Sequence, residues 1–490
     1  MEKRGLTRRA LLKSASLASI GVALAAAGCQ PKVIEKVVKE TVVVQVKETV
    51  PVEKVVKETV VVQVTAAPKV APTTAGPITL QYMDLGDRPT PDHLKIWDSL
   101  HPEIKVEILN YDLTRYSAMW AAGAPPDLFM PNGVMLPGLL IRGMLLDLQP
   151  YVEVSKLITM DDLAPCHVLH KWNGRTTGTG DLYAVVKDWS TEFSLWFQKA
   201  MFEEAKIPLP ADDKVLTYQD VAEMASHFVK REGDRQLTWG FDSQFNGFAW
   251  TQTIMECLAQ AGKSLYDDAF SKFILVDNDE AKKVIKYWVD LMKANIMPSV
   301  ANPAPSWGGD TMPNKQLAIQ QFGYWFYGSL KAKIKEGALP EGGALYATAP
   351  SWAGGQRRNP CAAGTCKTIS SRTKYKDQAW TFFEWETAKE PGIDGAKSGW
   401  GLPALKSQYK YMPNETPFDQ QVQKVLQEDL KRSEFVLQYS PFYDAQTLNG
   451  TVWPENLQRH LLGEITFDEM LTNIEKRNNE VIKEGIDRLS

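Results

Sequence analysis

The sequence predicts an α/β fold arranged in two lobes. The chain has 490 residues, which is enough for two or three domains with sizeable cores. Residues 78–109 read strand, polar turn, helix, strand, an order that favours a parallel sheet with crossover helices. Within residues 180–197, two β-branched and aromatic runs flank a charged centre at 187–192. Because charges between buried strands are costly, we expect this centre to cross between the lobes at a cleft, as a hinge.

Composition is that of an ordinary soluble globular protein. Charged residues make up 23% and apolar residues 44% of the chain, and the net charge is −4. No block of Lys and Arg is long enough to follow a phosphate backbone, so we expect no nucleic-acid partner.

The N-terminus has the layout of an export signal over residues 1–28. Arg8 and Arg9 form a motif that looks like a twin-arginine signal, followed by an apolar run at 15–27 that is too short to span a membrane. Residues 26–29 resemble a lipobox with Cys29 as the lipidated residue, which predicts an anchor on the outer face of the cytoplasmic membrane. A larger aliphatic residue usually stands where Ala26 is, so cleavage and release is the alternative.

A biased linker follows at residues 29–77. One twelve-residue segment rich in Val, Lys and Glu occurs at 35–46 and again, unchanged, at 53–64. Two such repeats cannot enclose a core. We expect a stalk that lifts the globular part off the membrane, and whether it self-associates stays open.

The cysteines that remain after Cys29 are expected to be structural. They are Cys166, Cys257, Cys361 and Cys366. An even number permits disulfides in an oxidising compartment, and Cys361 and Cys366 are the best candidates for a pair because they lie in one local loop. A zinc site is disfavoured because no second pair of ligands sits at a suitable spacing, so no metal is expected.

In the globular part, strands and helices are predicted in turn from composition, periodicity and capping signals. Strands are expected near 78–83, 105–109, 182–186, 193–197, 239–241, 346–350 and 364–369, and a strand and turn at 322–328. Helices are expected near 92–100, 116–122, 135–142, 198–205, 217–228, 251–260, 278–292, 376–388 and from 466 onward. Because ligands bind beyond the carboxyl ends of parallel strands, Asp84 and Asp87 after the first strand are site candidates. The alternative is that both are solvated turn carboxylates.

The sequence carries no familiar catalytic motif. It has no phosphate loop, no G-x-S-x-G elbow and no H-E-x-x-H. His167 and His170 are spaced for one helix face but have no third ligand, so we expect ordinary surface residues. A glycosidase needs only two carboxylates that the fold brings together, and this class stays open.

Several tryptophans lie in predicted loops beside small or polar residues. They are Trp189, Trp250, Trp307, Trp325, Trp352 and Trp400. Flat aromatic faces together with carboxylates and amides suit ligands that have C–H patches and many hydroxyls, which means sugars. Each tryptophan alone can be structural, but a structural role for all of them is not expected.

The chain resembles the extracellular solute-binding proteins of ABC transporters, family 1, the group that includes maltose-binding protein. The motifs are spread over residues 78–484, each is short, and their order is the family's. They are AGAPPDLF at 122–129, GMLLDL at 143–148, LYAV at 182–185 with LWFQK at 195–199, GYW at 323–325, GLPAL at 401–405 and LGEITFDE at 462–469.

This resemblance implies a periplasmic-binding-protein-like fold of type II, with two lobes and crossing hinge strands. One lobe would hold residues 78–187 and 367–412, the other 188–366 and 413–490. The implied ligand positions are Asp84, Asp87, Arg88, Asn132, Asp188, Trp189, Trp325 and the pair Phe442 and Tyr443. Trp250, Trp307 and Trp400 join them from the tryptophan pattern. Two departures, the cysteines at 361 and 366 and Phe442–Tyr443 in place of a Trp, leave the particular sugar open.

The implied function is capture of a sugar or oligosaccharide and its delivery to the membrane permease of an ABC importer. We expect a monomer that needs no cofactor and catalyses no reaction. The alternatives are an exported glycoside hydrolase and a binder of peptides or polyamines. A polyamine-binding protein should have a more strongly acidic cleft than this sequence suggests. A peptide-binding protein is less expected to have several tryptophans in its loops.

Overall fold

The structure is a computed structural model that describes residues 77–86, 88–211, 214–243, 250–352, 354–359, 364–432, 437, 439–442 and 448–489. The predicted export signal, the linker up to residue 76, Asp87, Cys361 and Tyr443 lie outside these ranges. Within them, none of the helices combines the length and the apolar character needed to cross a membrane.

The first sheet has six strands and a mixed topology. Its order is β13-β6-β12-β3-β1-β2. The strands β1 and β2 are parallel, with Ile78 opposite Ile104, and β3 is also parallel to β1, which confirms the predicted crossover at the start of the fold. Strand β12 runs antiparallel to β3 and β6, and β13 antiparallel to β6. The six strands are β1 Ile78–Asp84, β2 Ile104–Asn110, β3 Leu128–Phe129, β6 Val185–Trp189, β12 Thr365–Ile369 and β13 Leu402–Pro403.

The second sheet has five strands in the order β11-β7-β10-β9-β8. Strand β10 is parallel to β9 and antiparallel to β7. The five strands are β7 Leu195–Gln198, β8 Lys230–Glu232, β9 Arg235–Ser243, β10 Leu317–Gln321 and β11 Ala344–Ala347. A separate hairpin pairs β4 Lys171–Trp172 with β5 Asp181–Leu182.

Helices connect the strands and cover both sheets. Those that precede residue 300 are α1 Pro91–Leu100, α2 Leu113–Ala121, α3 Leu136–Ile141, α4 Gln149–Val154, α5 Lys199–Ala205, α6 Tyr218–Ser226, α7 Trp250–Gln260 and α8 Asp279–Lys293. The later ones are α9 Gly308–Thr311, α10 Phe326–Lys335, α11 Lys376–Ala388, α12 Glu390–Ser398, α13 Pro417–Leu430, α14 Trp453–Leu461 and α15 Phe467–Asp487. A short π-helix spans Leu448–Val452.

The predicted helix starts are confirmed by their caps. Thr217 and Thr466 form reciprocal capping boxes with the residues three positions later, Asp220 and Glu469. Asn278 accepts the backbone N–H of Ala281 and so begins α8. These side chains satisfy amide groups that the first turn of a helix otherwise leaves without a partner.

The C-terminal helices pack with the second sheet. The Gln421 side chain on α13 bonds the backbone of Tyr346 in β11 through its Nε2, at 2.7 Å from the carbonyl oxygen. On α15, Glu475 Oε2 accepts the backbone N–H groups of Leu275 and Val276 at 2.6 Å each. Side-chain hydrogen bonds therefore attach α13 and α15, which are late in the sequence, to the half of the molecule that contains the second sheet.

Two predicted strands are displaced. The aromatic run at 322–328 was expected as a strand and turn. The turn is present and enters α10, but the strand β10 ends before it, at Gln321. The run at 182–186 was expected as a strand before a hinge at 187–192, but β6 spans Val185–Trp189 and takes in part of the charged centre. β6 continues because Asp188 pairs with both β12 and β13, and Trp189 pairs with Leu402 of β13.

The expectation that His167 and His170 are surface residues is wrong. Both are buried in a short 3-10 helix over Pro165–His170. His167 Nε2 accepts the backbone N–H of Val186 at 3.1 Å, and burial lowers the pKa of His167. Cys366 Sγ lies 3.3 Å from Nε2 of His170. The expected Cys361–Cys366 disulfide stays a prediction, since Cys361 lies outside the described ranges.

Candidate functional site

A cavity of about 220 Å³ lies where the first sheet passes into the second. We call it the central cavity. Its lining combines two tryptophan rings, two carboxylates, two amides, two hydroxyls and a glycine, besides Trp189 at the end of β6. The residues that line it are Asn132, Asp188, Trp189, Ser190, Glu192, Gln252, Trp325, Gly364, Thr365 and Trp400.

The crossing segment between β6 and β7 forms one wall of the central cavity. Polar side chains hold this segment in place on the side of the second sheet. Asn359 Oδ1 accepts the backbone N–H of Phe193 at 2.9 Å, and Ser194 Oγ donates to Asp429 Oδ2 at 2.6 Å. Asn359 Nδ2 also donates to Asp429 Oδ2, at 2.8 Å. The wall is therefore fixed by a buried hydrogen-bond network rather than by packing alone.

Asp188 presents a carboxylate whose charge is compensated. Its Oδ2 lies 3.0 Å from Arg88 Nη2 and 3.1 Å from Lys187 Nζ. All three side chains are largely shielded from solvent, with 13%, 12% and 6% of their surfaces exposed. Two cations orient the carboxylate at the cavity edge, which leaves its remaining lone pairs as acceptors.

Trp325 is held against the crossing segment by two hydrogen bonds. Its backbone N–H donates to Ser190 Oγ at 3.2 Å, and its indole Nε1 donates to Glu192 Oε2 at 3.1 Å. The approach is close because Gly323 has no side chain: a Cβ there would lie 2.4 Å from Ser190 Oγ. The indole ring thus has one fixed orientation at the cavity.

Trp400 enters the cavity from a loop between α12 and β13. The flanking Gly399 and Gly401 have φ values of 70° and 113°, which residues with a side chain rarely adopt. The ring lies 6.1 Å from that of Trp325, centroid to centroid. Gly328 on α10 lets the Trp400 backbone approach, since a Cβ there would lie 2.8 Å from its N and Cα.

A second group of charges is buried behind the cavity. Lys367 Nζ lies 3.8 Å from Glu386 Oε2 and donates to Thr387 Oγ1 at 2.6 Å. Burial lowers the pKa of Lys367 to about 8 and raises that of Glu386 to about 7. Asp84 raises the pKa of Glu386 further and is itself only 1% exposed. Asp84 therefore belongs with this buried group and does not line the central cavity.

The structure brings together some of the predicted site residues and separates others. Five of them line the central cavity: Asn132, Asp188, Trp189, Trp325 and Trp400. Arg88 does not line it but forms an ion pair with Asp188, which does.

Three other predicted tryptophans do not line it. Trp250 is 1% exposed and packs in the core around the second sheet, as does Trp352, whose Nε1 donates to Glu280. Trp307 is 44% exposed, and its ring is parallel to that of Trp325 at 6.5 Å. It stands at the start of the one-turn helix α9.

Sequence reasoning missed five residues that line the cavity: Ser190, Glu192, Gln252, Gly364 and Thr365. Ser190 and Glu192 fall inside the predicted hinge at 187–192, so the sequence did indicate that they lie near the cleft. Gln252 lies on α7 among apolar residues, and nothing in the sequence marks it.

The lining offers hydrogen-bond acceptors, donors and flat rings. No group of three or more His, Cys, Asp and Glu side chains suited to a metal ion occurs among the residues that the structure describes. Carboxylates and amides beside indole rings can bind a neutral molecule that has both hydroxyl groups and apolar C–H faces.

The family model described as bacterial extracellular solute-binding protein matches residues 99–420. Among curated proteins, none matches the sequence. Solved structures do resemble the fold. The chain is similar to an ABC substrate-binding protein from Listeria monocytogenes in complex with cycloalternan, with a TM-score of 0.67 and 19% identity over 83% of this chain and 99% of the other.

Two further structures give the same result. A solute-binding protein from Thermotoga lettingae bound with α-D-tagatose has a TM-score of 0.66 and 18% identity over 83% of this chain and 100% of that one. Maltose-bound MalE3 of T. maritima has a TM-score of 0.63 and 19% identity over 82% of this chain and 99% of that one. The predicted two-lobed α/β class is thereby confirmed.

Proposed function

Because the chain belongs to the family of bacterial extracellular solute-binding proteins, we propose that it captures a sugar in the central cavity for an ABC importer. Membership of this family implies a location outside the cytoplasm. The observation that carries the sugar assignment is the pair of fixed indole rings, Trp325 and Trp400, beside the carboxylates of Asp188 and Glu192. Three structures with this fold hold cycloalternan, α-D-tagatose and maltose.

The proposed mechanism is closure of two lobes over the ligand. We assign residues 78–187 and 367–412 to one lobe and residues 188–366 and 413–490 to the other. With these bounds, the first lobe contains the strands of the first sheet and the second lobe those of the second sheet. The exceptions are the end of β6 and the start of β12, which belong to the first sheet but fall in the second lobe. A ligand that contacts both lobes stabilises the closed state. About 5.5 kcal/mol of differential binding takes closure from about 1% to about 99%. The closed shape would then dock on membrane permease subunits.

Attachment to the membrane is a separate part of the proposal. Export through the twin-arginine signal and lipidation of Cys29 would anchor the protein, as a monomer, outside the cytoplasm, with residues 29–77 as the stalk. Replacement of Cys29 by Ser would release the protein into the medium, and labelling with a radioactive fatty acid would be lost. Labelling that persists in the variant would contradict this part.

Binding without catalysis is favoured over the glycosidase alternative by the state of the carboxylates. Asp188 is neutralised by two cations, and Glu192 accepts the indole N–H of Trp325. A general acid or base must reach the reacting atoms of the ligand, and both carboxylates already have partners within the protein.

A thermal-unfolding screen of the protein tests the proposal. The panel contains monosaccharides and oligosaccharides, with amino acids, peptides and polyamines alongside. A sugar at about 100 times its dissociation constant should stabilise the fold by about 2.7 kcal/mol. Sugars that bind should also be recovered without new reducing ends.

Two outcomes would contradict the proposal. Cleavage of a bound sugar would make the protein an enzyme. If peptides or polyamines raise the melting temperature and no sugar does, the sugar assignment is wrong, although the chain still belongs to the family.

A further inference from the structure

Helix α12 has a glycine on its buried face. Gly395 lies inside this nine-residue helix and is buried. Glycine is, after proline, the least favourable residue for the interior of a helix. A Cβ at this position would lie 1.3 Å from Nη1 of Arg88 and 2.6 Å from its Cζ. The missing side chain therefore leaves the space that the Arg88 guanidinium occupies.

The same guanidinium contacts a carboxylate of the central cavity. Arg88 Nη2 lies 3.0 Å from Oδ2 of Asp188, and Lys187 Nζ lies 3.1 Å from the same oxygen. Asp188 lines the cavity. Because both cations contact one oxygen, their positions set the direction in which the other oxygen, Oδ1, points. A shift of the guanidinium would therefore turn an acceptor group of the ligand site.

The space around Arg88 decides where a displaced guanidinium would go. On one side, Arg88 lines a space of about 10 Å³ together with Lys367, Glu386 and Gln408. A space of this size holds no more than about one water molecule. On the other side, Arg88 lines a groove of about 540 Å³ between α1 and α12, which Asp188 does not line. A side chain at position 395 would therefore push the guanidinium toward the groove and away from Asp188.

Helix α12 is connected to the site without forming part of the cavity wall. None of residues 390–398, all of which the structure describes, lines the central cavity. The helix is attached to α1, since His93 Nε2 lies 3.2 Å from Asp394 Oδ2. At its C-terminal end, Ser398 Oγ accepts the backbone N–H of Trp400 at 3.1 Å. A helix held in this way can act on the cavity through the residues that it contacts.

We propose that Gly395 is a positioning residue of the ligand site: it admits the Arg88 guanidinium, which orients the Asp188 carboxylate toward the ligand. This inference rests on the proposed sugar-binding function and adds a residue that touches neither the ligand nor the cavity. Affinity for a ligand that donates a hydrogen bond to Asp188 should therefore require that position 395 has no side chain.

A double-mutant cycle between Gly395→Ala and Arg88→Lys tests the inference, by calorimetry with a sugar found in the screen. Arg88→Lys keeps the positive charge but removes Nη1, the atom nearest to an added Cβ, and the planar fork that orients a carboxylate. Lys397→Ala is the control on α12, because the Lys397 side chain is 58% exposed and points to Asp394 at the surface. Melting temperatures without sugar show whether each variant is folded.

Gly395→Ala and Arg88→Lys should each lower the affinity about tenfold, because each loses or misaligns a charge-assisted hydrogen bond to Asp188. The double variant should bind within about twofold of Arg88→Lys alone, since the added methyl group then has no guanidinium to displace. Lys397→Ala should bind like the wild type.

Three results would overturn the inference and leave the proposed function standing. The first is a loss of about hundredfold in the double variant, because independent effects multiply and Gly395→Ala would then act through the helix itself. The second is wild-type affinity in Gly395→Ala. The third is wild-type affinity in Arg88→Lys, which would show that the guanidinium does not orient the carboxylate, even if Gly395→Ala fails to fold. If the wild-type protein binds no sugar, the proposed function and the inference are both wrong.

Discussion

At the scale of residues, the central cavity depends on two tryptophans whose positions are set by glycines and hydrogen bonds. Trp325 is fixed by Ser190 and Glu192, and Trp400 by its glycine loop. Aromatic residues in well-packed, desolvated positions carry a large share of binding energy in other recognition sites. We expect the same here, because each ring offers a flat face and cannot turn away.

Trp400→Ala should weaken sugar binding at least tenfold, which corresponds to about 1.4 kcal/mol. The cause is loss of a flat apolar face on which a sugar ring can lie. Calorimetric titration with a sugar found in the screen measures the change. The matched control is Trp120→Ala: Trp120 is a half-buried indole that stacks with Arg372, and it lies outside the cavity lining. Equal affinity in wild type and Trp400→Ala would contradict the site.

Gly328→Ala should disturb Trp400 without touching the ligand. The added Cβ would lie 2.8 Å from backbone atoms of Trp400, so the loop must move. Overpacking of this kind costs about 1–3 kcal/mol of stability, and sugar affinity should fall with it. Gly450→Ala is the control, since a Cβ there meets nothing within 4 Å. Unchanged melting temperature and affinity in Gly328→Ala would show that the close approach does not position Trp400.

At the scale of elements, α7 brings one side chain to the cavity and buries another one turn later. Gln252 lines the central cavity. Glu256, four residues on, is fully buried and accepts the Tyr218 hydroxyl at 2.7 Å on α6. Burial raises the pKa of Glu256 to about 7, although hydrogen bonds from Tyr218, Gln260 and Cys257 partly oppose this.

This raised pKa predicts a pH dependence of stability. The folded state holds the Glu256 proton up to about pH 7, whereas an unfolded Glu releases it near about pH 4.5. The folded state therefore binds more protons between these values, so this group lowers stability as pH rises through that window. In denaturant titrations from pH 4.5 to 8, Glu256→Gln should lack a decline of about 1–3 kcal/mol that the wild type shows. The exposed Glu223→Gln should behave as wild type, and parallel curves for wild type and Glu256→Gln would contradict the assignment.

The sequence was most informative at this scale, and its errors have physical causes. Helices with a capping side chain and a regular apolar stripe, such as α8, were predictable because both signals are local. The aromatic run at 322–328 has strand composition but forms a turn, since tertiary contacts with Ser190 and Glu192 outweigh β propensity. Trp250 and Trp325 both stand beside loop residues, and only the fold decides which ring is buried. The sequence around Gln252 does not mark it as a site residue, because only the folded structure brings its side chain to the central cavity.

At the scale of the whole molecule, the two sheets are connected by a crossing wall that also belongs to the cavity. One hydrophobic cluster contains Tyr82 and Val185 of the first sheet together with Trp196 and Tyr346 of the second. The halves thus share apolar contacts near the crossing. Closure would then be a rotation about the crossing segments.

Closure predicts a change in overall size. Small-angle scattering of the protein should give a smaller radius of gyration when a binding sugar is saturating, because the ligand stabilises the closed state. Trp400→Ala should need a higher sugar concentration than the wild type to reach the smaller value. A radius that is the same with and without bound sugar in the wild type would contradict the closure mechanism but not the binding site.

The most direct test of the central claim is calorimetric titration of the protein with the sugars that raise its melting temperature. The account predicts saturable binding of one sugar molecule per chain, with the sugar recovered chemically unchanged. Titrations in which no sugar gives saturable heat, while a peptide or polyamine does, would contradict it.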